Sequence, residues 1–112
     1  MCDACKPELA NITPKNAGVL AQSGVKTAVC TDHSETPIQY LTLTVGICIK
    51  HGLDLQSAVD SITINAAEIA GIDDLCGSAE VGKRADLVMF SGNPFEVMTS
   101  PEAVFVGGIR QL

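Results

Sequence analysis

A chain of 112 residues carrying a net charge of -6 is one domain at most, and at that size it buries only roughly two-thirds of its unfolded surface. Its apolar fraction of 46% is ordinary, but its charged fraction of 18% falls below the roughly 25% of an average soluble domain. The plain reading is a compact hydrophobic domain; the sharper one, favoured by so much surface on so small a chain, is that part of the apolar surface meets another chain or a missing part of this one. The seven Lys and Arg are scattered, which excludes the clustered basic face that nucleic acid requires.

In chain order, residues 1–11 have no clear period and read as an irregular arm. It contains Cys2-Asp-Ala-Cys5, which lacks both the helix-on-sheet setting of a redox pair and the second pair of a zinc site, and reads as two incidental thiols. Thr13-Pro14 reads as an N-cap with proline at the first helical position, opening a helix that runs to about Ser23 and stops at Gly24. Val25–Cys30 then reads as a short buried strand. It ends at Asp32 and His33 in the loop Thr31-Asp32-His33-Ser34-Glu35-Thr36-Pro37.

Residues 38–50 carry two signals. Leu41, Leu43, Val45, Ile47 and Ile49 alternate with Thr42, Thr44, Gly46, Cys48 and Lys50 as a strand would, while Pro37 suits a helix start and Lys50-His51-Gly52 a basic last turn with a glycine stop. The same run, Ile38–Ile49, is too short to span a bilayer. Asp54 reads as the cap of an amphipathic helix with Leu55, Ala58, Val59 and Ile62 on one face. Thr63 or Asn65 caps another helix that ends at Gly71.

Beyond Gly77 the pattern turns to strand: Ala85–Phe90, a turn cluster Ser91-Gly92-Asn93-Pro94, and a hairpin closed by Gly107-Gly108. Five cysteines, at 2, 5, 30, 48 and 76, are an odd number, the last three in or beside apolar segments, which reads as reduced thiols of a cytoplasmic protein. No basic region leads into an apolar core at the N-terminus, so no signal peptide is expected.

Asp32 is the residue with chemical promise. A carboxylate at the C-terminal end of a buried strand, with a histidine beside it, is where α/β enzymes place catalytic groups. The plainer alternative is a turn residue whose carboxylate bonds its own loop backbone. His33 could as well be an ordinary loop histidine, and His51 a partner of its helix terminus.

Residues 24–33, then Thr36-Pro37-Ile38-Gln39-Tyr40-Leu41 and Ile62-Thr63-Ile64-Asn65-Ala66-Ala67, resemble the closing barrel strand and following helices of the amidohydrolase superfamily, in its imidazolonepropionase-like branch. The tail from Gly77 through Phe90, with Asn93-Pro94-Phe95 and Ala103–Gly108, resembles the return of such chains into a small β-sandwich subdomain. The resemblance implies an α/β fold: the C-terminal fragment of a (β/α)8 metal-dependent hydrolase barrel, with residues 12–76 as the last barrel strand and flanking helices and 77–112 as part of the β-sandwich. It also implies a helix over 38–50.

The activity it implies is hydrolysis of amide or other non-peptide or dipeptide C–N bonds of a small-molecule substrate. Asp32 would be both catalytic residue and metal ligand in a complete parent site, and His33 would lie near substrate. The metal would be a divalent ion, zinc by family habit. The His-x-His pair, the bridging lysine or glutamate and the other histidines of such sites have no counterparts here, because the chain begins after the place where they would lie. One aspartate cannot hold zinc, which takes three or four protein ligands. The isolated chain is accordingly expected to be inactive and without cofactor, and to associate as a homodimer or with the missing barrel portion. No membrane partner is expected. The alternative is a self-standing, non-catalytic oligomeric or ligand-binding module derived from that segment.

Overall fold

The computed structural model describes Pro7 and residues 10–112. The Cys2/Cys5 pair and most of the expected arm lie outside the described residues. Helix α1 spans Asn16–Gln22, starting two residues after Pro14, with the Thr13 hydroxyl accepting from the Lys15 N–H at 3.4 Å. It ends at Gly24, whose φ of +74° suits glycine, and the Val25 N–H reaches back to the Leu20 carbonyl.

Residues 25–30 depart from expectation, since they form no ladder with any strand among the described residues. A strand exists only through its pairing, and the segment lies instead against helices.

Residues 38–50 are helical throughout, a single 3₁₀ turn over Ile38–Tyr40 leading into α2, Leu41–Lys50. The alternation that suggested a strand coexists with a helical row, Leu41, Val45, Cys48 and Ile49, and Val45 is fully buried. Helix α3 spans Leu55–Ser61 and is capped as expected, Asp54 Oδ1 accepting from the Ser57 N–H at 2.9 Å. Its apolar face is only half covered: Ala58 is buried, but Leu55 is 53% exposed. Helix α4 spans Ile64–Ala70 and stops at Gly71. Thr63 is its N-cap residue without a side-chain cap bond, and Asn65 lies inside the helix rather than capping it.

The core lies among these helices and one loop, with Val45, Leu53, Ala58 and Phe95 packed together. Phe95 arrives from the other half of the chain. Strands β1 (Leu87–Phe90), β2 (Pro101–Val106) and β3 (Ile109–Arg110) form an antiparallel sheet in that order, with Leu87 opposite Phe105 and Phe105 opposite Arg110. The excursion between β1 and β2 is closed by the Ser91 N–H on the Ser100 carbonyl at 3.1 Å, and the Asn93 side chain turns it by accepting from the Phe95 N–H.

At Gly46 in α2 the helix backbone comes so close to this excursion that an added Cβ would lie 2.7 Å from the Phe95 carbonyl oxygen. The Gly107-Gly108 turn has φ of +57° and +80°, the two positive values of a type I′ hairpin. Its N–H groups are held by the Asp86 carboxylate at 2.6 Å and the Ala85 carbonyl at 2.9 Å.

Candidate functional site

Asp32 stands at the head of a loop that closes on itself. The Thr36 N–H donates to the Thr31 carbonyl at 3.2 Å, and the Glu35 N–H to the main-chain carbonyl of Asp32 at 2.7 Å. The loop therefore turns on the backbone of Asp32, not on its carboxylate, unlike the Asx-turn alternative. Asp32 has φ of +49°, a left-handed value that aspartate tolerates better than most residues. Its side chain and that of His33 are exposed.

The segment leading to this loop is fastened to α3 and α4 by three successive contacts. The Lys26 ammonium pairs with the Glu68 carboxylate. The Asn65 side-chain amide donates to the Thr27 carbonyl at 3.2 Å, and the Val29 N–H donates to the Ser61 carbonyl at 3.1 Å. Asn65, a possible helix cap by its place in the sequence, bonds this segment instead. The missed signal was an amide inside an alanine-rich helical turn, which points to a partner outside the helix.

The structure places Asp32 and His33 in one loop and brings no other candidate to them. Among the described residues no three His, Cys, Asp or Glu side chains are grouped to hold a metal ion. Asp32 and His33 do not by themselves fit a zinc site, which needs three or four donors. A separate cleft of about 780 Å³ opens between the helices and the sheet, with Ile62, Ala66, Cys76, Arg84, Leu87 and Phe95 among its walls. Burial pushes the Cys48 thiol pKa up, whereas the hydrogen bonds from Ser57 hold the Asp54 carboxyl below the usual carboxylate range. Neither group adjoins Asp32 in the chain.

Residues 9–110 match the model of the amidohydrolase family. The chain belongs to that family. The amidohydrolase segment is 31% identical over 94 residues to the imidazolonepropionase of Shouchella clausii, covering 81% of this chain and 21% of that protein. It is 39% identical over 75 residues to the imidazolonepropionase of Geobacillus kaustophilus, covering 64% of this chain and 18% of that one.

The crystal structure of an amidohydrolase from Thermotoga maritima superposes with a TM-score of 0.90 and 33% identity, over 96% of this chain and 28% of that chain. The described helices and sheet thus reproduce a part of an amidohydrolase fold. The chain spans about a fifth of the length of the curated imidazolonepropionases it matches, 21% in the first case. Among the described residues no helix is long and apolar enough to cross a membrane.

Proposed function

We propose that this chain is the Asp32-bearing C-terminal part of a metal-dependent amidohydrolase that cleaves amide or other non-peptide or dipeptide C–N bonds of a small molecule in the cytoplasm. Residues 12–76 then correspond to the last barrel strand with its helices, and residues 77–112 to part of a β-sandwich subdomain. The observation that carries the proposal is Asp32 itself: an exposed carboxylate, free of its own loop's turn bonds, at the end of a segment whose surroundings superpose on a solved amidohydrolase. The family generally uses a divalent metal. Asp32 would be one of its ligands, the others coming from outside the described residues, and His33 would lie on the substrate side.

A carboxylate so placed can accept the proton of the attacking water and return it to the leaving nitrogen. An amide cannot. In the complete enzyme, Asp32→Asn is expected to lower kcat by roughly 10²- to 10⁴-fold, and wild-type turnover in that variant would overturn the assignment. The 112-residue chain on its own is expected to hold no stoichiometric zinc by elemental analysis and to turn over no cyclic amide. It is also expected to scatter light as a dimer, unless joined to the rest of the barrel. If the reading frame around this chain encodes no barrel, the non-catalytic module becomes the better account.

A further inference from the structure

The three contacts that fasten the Asp32 segment are ordered. Lys26, Thr27 and Val29 meet Glu68, Asn65 and Ser61 in turn, so the segment runs antiparallel to the chain of two successive helices, with Ser61 at the end of α3 and Asn65 and Glu68 in α4. Their abilities to specify a position differ. The Lys26–Glu68 pair is largely exposed, and long flexible side chains in water hold a register weakly. The Val29–Ser61 bond joins main chain to main chain, so neither residue's side chain makes it. The Asn65 amide is half-buried and comes from one side chain alone.

The loop beyond is closed by its own Thr36–Thr31 bond and follows directly on the segment. We infer that Asn65 is a positioning residue that ties the main chain of the Asp32 segment to α4, and so holds the direction in which the Asp32 carboxylate points. This rests on the proposed role of Asp32 for its catalytic consequence, but not for its structural one.

Three variants separate the possibilities. Asn65→Asp keeps the shape and loses the donor, since a carboxylate cannot donate to the Thr27 carbonyl. Glu68→Gln removes only the exposed ion pair. Ser61→Ala removes the Oγ bond to the Ala58 carbonyl and leaves the Ser61 main-chain acceptor intact. In the 112-residue chain, the Val29 amide is expected to exchange at least tenfold faster in Asn65→Asp, while Glu68→Gln and Ser61→Ala leave it near wild type. Equal protection in all four proteins would overturn the inference, whatever the enzyme does.

In the complete metal-loaded enzyme, Asn65→Asp is expected to cost roughly tenfold to a hundredfold in kcat with KM little changed, at a temperature where Ser61→Ala is fully active. A loss of Asp32→Asn activity with an unchanged Asn65→Asp kcat would sink the positioning role alone. Activity retained in Asp32→Asn, with exchange quickened in Asn65→Asp, would sink the catalytic reading and keep the tether.

Discussion

The helical half and the sheet half of this chain are stabilised in different ways. Helices α2 and α3 share a closed apolar cluster in which Val45 and Ala58 are fully buried. In the sheet, by contrast, Leu87, Val88 and Met89 are each exposed, and Ala103 is its buried residue among those described. The sheet is held by its ladder, by the I′ turn and by the bonds of residues 85 and 86 to that turn. One half is thus stabilised mainly by packing and the other mainly by hydrogen-bond geometry. Phe95 is the side chain through which the loop between β1 and β2 shares in the core.

Phe95→Ala breaks that comparison most severely. Emptying a core site of this size costs about 3–5 kcal/mol, of the order of the whole stability of a small domain. The expected outcome in urea is loss of the cooperative transition in both halves; a sheet that survives while the helices melt would mean that the halves are independent.

Gly108→Val attacks the sheet alone. A β-branched residue at φ of +80° costs about 1–2 kcal/mol, and hydrogen exchange should rise in β2 and β3 while α2 stays protected. Replacing Gly107 by Asn should be nearly neutral, since Asn-Gly favours the same turn.

Acid probes the cap of α3. The Asp54 pKa is lowered by the Ser57 bonds, so the folded state holds its proton less tightly than the unfolded chain, whose value is near 3.8. Stability from this group is present above that value and lost as pH falls through the folded-state pKa. Because the group is exposed the effect is small, and Asp54→Asn, which still caps, should flatten this part of the acid limb in thermal melts.

The smallest effect is expected from Val88→Thr, within about 0.5 kcal/mol for an exposed position. A larger loss of stability that grows with protein concentration would reveal that β1 is covered in solution.

What the sequence made legible follows the same division. Glycine stops, the Asp54 cap and the Gly-Gly hairpin are written in a few adjacent residues, and each is found where the residues place it. Val25–Cys30 could not be read to completion, because a strand needs partners and the described residues supply none. Residues 38–50 misled by periodicity: alternating apolar residues also contain the row Leu41, Val45, Cys48 and Ile49, and the helix buries that row in preference to exposed Leu43. Family resemblance resolved that segment where periodicity did not.

Asp32 was legible as a carboxylate at a segment end, and its freedom from the turn was not, since that depends on backbone bonds. The amide of Asn65 pointed outside its helix, but its partner, Thr27, 38 residues away, could not be read from local pattern.

The approach at Gly46 has a consequence for how such a chain can diverge. The spacing between α2 and the Phe95 excursion is set by main chain meeting main chain, with no side chain acting as spacer. Any side chain at position 46 would therefore prise the seam apart, whatever its neighbours do. The joint between the two halves thus has one point with no room to vary, beside a core residue, Phe95, that it cannot lose.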